Sequence, residues 1–163
     1  MQQDQFWQWR RRRGVDDTGT GLTQGRHRCF ENVPHIVLNG IVENHAELRR
    51  ELKEQGHEFT SETDAEIVAH LIERHYEGDL LEATRAAYKE LEGHFAFVVI
   101  HHDHPEELVG ARRQCPLLVG VGDGEMFLAS MAAAFIGETR SIQLIEDGEV
   151  VLITPQGSRF FCV

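Results

Sequence analysis

Cysteine is scarce in this 163-residue chain, and its three copies, Cys29, Cys115 and Cys162, lie far apart. That spacing excludes a disulfide framework and the paired spacings of a zinc module. It points to a reducing, cytoplasmic setting. No apolar run approaches the length of a membrane span. The opening MQQDQFWQWRRRRG places its charges after its apolar residues and has no apolar core of a leader, so it is not a secretory signal. Basic residues are outnumbered, 16 against 27 acidic, for a net charge of -11. Nucleic acid is therefore not expected as a partner, since phosphate neutralisation needs clustered Lys and Arg.

What is present is ordinary for one globular domain: 41% hydrophobic and 26% charged residues. The charge is uneven. Residues 1–30 hold six Arg and three Asp, and both tryptophans fall in the first nine residues. This compositional break predicts a divergent, poorly ordered segment over 1–34 and a folded part over 35–163. Gly14, Gly19, Gly21 and Gly25 interrupt any period in the first segment. The Arg10–Arg13 run reads as a solvated tail.

From His35 the pattern is regular. His35–Leu38 predicts a short strand ending at the turn dipeptide Asn39-Gly40. Asn44–Gln55 is amphipathic through Leu48 and Leu52, with Gly56 past its end. His57–Thr60 predicts a brief strand. A second helix opens at Ser61-Glu62-Thr63-Asp64, capped by Ser61 or Thr63, and buries Ile67, Val68, Leu71 and Ile72. A third runs over Asp79–Leu91. Strands are predicted at Phe95–Ile100, Glu107–Arg112, Leu117–Val121, Met126–Ser130, Ile142–Ile145, Val150–Thr154 and Ser158–Phe161, with a short helix near Met131–Ile136. Helices first and a strand meander afterwards indicate α+β architecture.

Several local patterns carry chemistry. Gly40 lets its backbone N–H approach a ligand closely, and the Asn39 amide beside it is a second donor, so the pair can stabilise an oxyanion or simply form a turn. Asp64 at a helix start can receive an ammonium group or complement the helix dipole. His101-His102-Asp103-His104 has metal-ligand residue types but reads as an exposed loop between strands. Cys115, before Pro116, reads as a packed residue with no base nearby in sequence. Gly120–Gly124 precedes a strand and reads as a hairpin turn, not a phosphate loop. No metal or cofactor is expected.

Asn39-Gly40-Ile41-Val42-Glu43-Asn44, Gly56-His57-Glu58-Phe59 and Ser61-Glu62-Thr63-Asp64 come in order. Leu91-Glu92-Gly93, Gly110-Ala111-Arg112, Glu125–Ser130 and Leu144–Glu149 follow. This series resembles the glutaminase domain of the glucosamine-6-phosphate synthase family, a branch of the class II glutamine amidotransferases. The resemblance implies an N-terminal nucleophile hydrolase-like αββα sandwich, here incomplete at the N-terminus. It implies glutamine as substrate, Asn39 and the Gly40 N–H as the oxyanion hole, and Asp64 as the holder of the glutamine ammonium. Thr23, in Leu22-Thr23-Gln24-Gly25, is the remnant of the family's Arg-Trp-Ala-Thr-His-Gly substrate grip.

The departures are specific. Residue 2 is Gln where the family exposes a cysteine nucleophile, so the resemblance supplies no nucleophile in this chain. Leu38 stands where a His usually precedes Asn-Gly, and Asn32-Val33-Pro34-His35 only echoes the family's Asn-Ala-His-Pro-His. The sugar-isomerase domain to which the family's ammonia passes has no counterpart here. The alternatives to a glutaminase domain are a non-catalytic glutamine- or protein-binding relative and an inactive fragment. A fragment with open sheet edges would self-associate or pair with an isomerase domain. The break near residue 30 also fits a shifted reading frame. This polypeptide alone is expected to release no ammonia from glutamine. A rate within about tenfold of a full-length homologue would contradict that.

Overall fold

A computed structural model describes residues 34–163 and, as backbone strands, 6–10 and 14–16. The strands are β1 (Phe6–Arg10), β2 (Gly14–Asp16), β3 (His35–Val42), β4 (Gly93–His101), β5 (His104–Arg113), β6 (Leu118–Val121), β7 (Glu125–Ala129), β8 (Ile142–Leu144), β9 (Glu149–Thr154) and β10 (Gly157–Cys162). Three helices, α1 (His45–Glu54), α2 (Asp64–His75) and α3 (Leu80–Glu90), lie between β3 and β4. The fold is α+β. One antiparallel sheet has the order β10-β9-β5-β4-β3, the other β2-β1-β7-β6-β8.

Strand alternation explains the layering. In β4, Phe95, Phe97 and Val99 face the helices, while Ala96 and Val98 face the second sheet. In β9, Val150 and Leu152 take the helix side, and Val151 and Ile153 the sheet side. Both strands are covered on two faces, so they read as continuous apolar runs rather than alternating ones. Against the helix side pack Leu48 and Leu52 of α1, Ile67, Leu71 and Ile72 of α2, and Leu80 and Ala87 of α3. Between the sheets, Gly110 lets them approach: a Cβ there would lie 3.0 Å from Leu128 and 3.1 Å from Leu117. The outer face of the second sheet carries Phe127 and Ala129, covered by Phe135.

Several elements differ from expectation. Residues 1–30 showed no period, yet β1 pairs along β7 from Phe6↔Ala129 to Arg10↔Glu125, and Gly14 lies in a strand. The aromatic content of Phe6–Arg10 suits a strand once a partner edge is available. The strand at His35 does not stop at Leu38. It runs through Asn39↔Ala96 and Gly40↔Phe95 to Val42↔Gly93, so the ladder overrides the turn signal of Asn39-Gly40. His57–Thr60 forms no strand, because the Thr60 and Ser61 N–H groups turn to the Glu66 carboxylate instead of a ladder. The helix near Met131–Ile136 is a single 3-10 turn, Ala132–Ala134.

Leu71 is fully buried, whereas Ile41 is 62% exposed. Leu71→Ala is expected to cost about 2–5 kcal/mol through cavity formation. Ile41→Ala should cost under about 1 kcal/mol. Urea unfolding measures both, and equal losses would contradict this packing.

Candidate active site

β3 ends its sheet, so one side of it faces no neighbouring strand among the described residues. Gly40 has φ +104, a backbone shape that side chains rarely adopt, and a Cβ there would sit 2.1 Å from the His94 carbonyl oxygen. Only glycine fits. Asn39 is half-buried and opposite Ala96, so its side chain faces the second sheet. It lines a narrow cleft with Val37, Ala96, Leu117, Leu128 and Ser130. Among the described residues the Asn39 amide carries no hydrogen bond, which leaves it available as a donor. The Cys115 Sγ lies 3.0 Å from the position a Gly40 Cβ would take. Burial pushes the Cys115 thiol up, partly offset by Arg112 and reinforced by Asp147. Such a thiol packs; it is a poor nucleophile.

Asp64 is the first residue of α2, and its Oδ2 accepts the Val42 N–H at 3.1 Å. Along β3 the N–H groups alternate in direction. Glu43 N–H donates to the Glu92 carbonyl on the β4 side, and Val42 N–H points the opposite way, to Asp64. The Asp64 carboxylate thus sits at the outer margin of the strand that carries Asn39 and Gly40. Its second oxygen has no hydrogen bond among the described residues.

The segment before Asp64 is held from two sides. Glu66, 4% exposed, accepts the N–H and O–H groups of both Thr60 and Ser61 at 2.7–2.9 Å. Arg49 of α1 donates to the Ser61 carbonyl at 2.8 Å and stacks 4.5 Å from the Phe59 ring centroid. Neither Ser61 nor Thr63 caps α2 through its side chain as expected; Ser61 Oγ is engaged by Glu66. By sequence Glu66, with Glu62 and Asp64, is a charge suited to the positive end of the helix; its role as acceptor from Thr60 and Ser61 is additional. Thr63-x-x-Glu66 is the sequence signal of a capping box, with the carboxylate reaching back past the cap residue. Burial raises the Glu66 pKa, but the hydrogen bonds from Thr60 and Ser61 outweigh it and hold the group at about 2.

Thr23, Gln2 and Cys29 lie outside the described residues. The His101–His104 run is not the exposed loop expected throughout. His101 is buried and packs on Tyr76 with ring centroids 4.3 Å apart, and His104 Nε2 lies 2.9 Å from the Tyr76 hydroxyl. Both rings pack on Tyr76, and their own centroids are 5.9 Å apart. Among the described residues, those that converge as metal-ligating types are His57, His70 and Glu73, which sequence proximity did not single out.

The glutamine amidotransferase domain family matches residues 23–137. Glutamine–fructose-6-phosphate aminotransferase (isomerizing) of Aquifex aeolicus is 49% identical over 120 residues, covering 74% of this chain and 20% of that protein. The Clostridium tetani protein of the same name is 44% identical over 159 residues, 90% of this chain and 26% of the relative. The chain thus spans about a fifth to a quarter of these relatives. Among solved structures, glutamine phosphoribosylpyrophosphate amidotransferase from B. subtilis superposes with a TM-score of 0.73 at 26% identity, over 83% of this chain and 30% of that one. A class-II glutamine aminotransferase domain protein from Silicibacter pomeroyi shares the fold, with a TM-score of 0.57 at 14% identity over 79% of this chain and 65% of its own. No helix among the described residues is long and apolar enough to cross a membrane.

Glu66 links this geometry to pH. Its folded pKa of about 2 lies below the free value of 4.5, so its stabilising contribution is complete above about pH 4.5 and fades as pH falls toward 2. The contribution is roughly 3 kcal/mol at most. Glu66→Gln should therefore lose most stability near neutral pH, and the two proteins should converge toward about pH 2. Urea unfolding across that range tests it; a pH-independent difference would contradict it.

Proposed function

We infer function from the premise that this chain belongs to the glutamine amidotransferase domain family: residues 35–163 form the glutamine-binding and oxyanion-stabilising part of a glutaminase. Attack of a thiolate on the glutamine side-chain amide puts negative charge on the amide oxygen. The Asn39 amide and Gly40 N–H are the donors for that charge. The Asp64 carboxylate receives the α-ammonium group.

The observation that carries this reading is the Asp64–Val42 hydrogen bond, because it brings the carboxylate to the strand bearing Asn39 and Gly40. Two residues along a strand advance roughly 6.8 Å. That is the scale of the separation between the ammonium and amide ends of an extended glutamine.

The relatives carry a name that specifies fructose 6-phosphate as the acceptor and an isomerising reaction. By that likeness, ammonia released here would be delivered to a sugar phosphate on a companion isomerase domain, in the formation of amino sugars. The exposed margin of β3 and the exposed side chains Ile142 and Leu144 of β8 are places where such a partner, or a second copy of this chain, would pair. Burial pushes the Cys115 thiol up, so this residue does not serve as the attacking thiolate. On this reading residues 35–163 bind glutamine, and hydrolysis needs a thiolate that Cys115 does not supply.

Calorimetry with glutamine tests the reading. A binding signal is expected that weakens at least tenfold, roughly the worth of one charge-assisted contact, in Asp64→Ala. No signal from the native chain, or one that Asp64→Ala leaves unchanged, would overturn it.

A further inference from the structure

Outside the proposed glutamine site, three metal-ligating side chains from two segments meet at one point. His57 lies in the segment after α1, and His70 and Glu73 lie one turn apart on α2. The separations are 3.2 Å between His57 Nδ1 and His70 Nδ1, 3.0 Å between His70 Nδ1 and Glu73 Oε2, and 3.5 Å between His57 Nδ1 and the same oxygen. The side chains are 19%, 11% and 34% exposed, respectively, so the cluster is recessed but reachable.

Hydrogen bonding alone satisfies this triangle poorly. An ionised carboxylate only accepts, and a neutral imidazole carries a single N–H. If His70 Nδ1–H points at Glu73, the facing His57 Nδ1 brings either a second hydrogen that crowds the first or a lone pair that competes for it. One cation at the centre would satisfy all three atoms together. Ligands at about 2.0–2.1 Å from a tetrahedral ion stand roughly 3.3 Å apart, which matches the three edges of the triangle. Two imidazoles and one carboxylate suit zinc and its neighbours rather than calcium or magnesium, which prefer all-oxygen sets.

The surroundings have the features of a supported site. The Phe59 ring packs edge-on against His70, with centroids 4.6 Å apart, and Arg49 covers Phe59 from the other side. The nearest cationic side chain in sequence, Arg74, is engaged by Glu90. We propose that His57, His70 and Glu73 bind a divalent transition cation of the zinc class, with one coordination position left to water, and that the ion fastens the segment after α1 to the middle of α2. That segment leads directly to Asp64, but the metal site does not depend on the glutamine reading.

Cobalt(II) titration of the full chain, followed by visible absorption, is the test. One equivalent should give ligand-field bands that zinc displaces. The affinity should fall by about 100-fold in His57→Ala and in Glu73→Gln, as expected when coordination is disrupted, and stay unchanged in His102→Ala. Should either variant fail to fold, as judged by circular dichroism, imidazole nitrogen shifts in the native chain replace it: zinc should move those of His57 and His70 and leave His101, His102 and His104 in place. Absence of the bands, bands that persist in folded His57→Ala and Glu73→Gln, or zinc shifts confined to His101–His104 would overturn the proposal.

Discussion

The Val42 N–H is buried at the end of an edge strand, where no further strand among the described residues can accept it. A polar group in that position costs about 1–3 kcal/mol if left unsatisfied. Asp64 removes the cost, and because its carboxylate is charged the bond is stronger than a neutral pair. The carboxylate is stabilised in turn by its position at the positive end of α2. This single contact fixes where the start of α2 stands relative to Asn39 and Gly40. The remainder of the candidate site follows from that placement.

The rest of α2 extends the same logic along its length. Its apolar stripe, Ile67, Val68, Leu71 and Ile72, enters the core beneath the sheet. Its polar residues tie down the segments around it. Glu66 gathers Thr60 and Ser61, His70 and Glu73 meet His57, and Arg74 and His75 reach Glu90 of α3. An amphipathic helix usually leaves its polar face to solvent. Here that face is employed in fastening the segments around it, so the segment after α1 keeps a defined course without secondary structure of its own.

Much of this was legible before any coordinates. The three helices and the strands from β4 to β10 follow from periodicity and punctuation, since Leu48 and Leu52 or Val150–Ile153 admit few other arrangements. The domain resemblance pointed to Asn39, Gly40 and Asp64 as well. What the sequence could not show were contacts set by pairing at a distance. Asn39-Gly40 carries a turn signal, and only the partner β4 reveals that the strand continues through it. His101–His104 reads as an exposed loop despite its metal-ligand residue types, yet His101 is buried and its ring and that of His104 meet Tyr76. His57 and His70 are thirteen positions apart and meet because the chain reverses between α1 and α2. The strands β1 and β2 fall in a segment without a period, since their order comes from the edge of β7.

The direct test of the account is amide hydrogen exchange at Val42, read residue by residue by NMR in the native chain and in Asp64→Asn. The account predicts that Val42 is protected in the native chain and loses that protection in the variant, while Phe97 and Val99 in the middle of β4 exchange as before. Equal protection of Val42 in both proteins would mean that Asp64 does not hold the edge strand, and the proposed frame for Asn39, Gly40 and the carboxylate would fail.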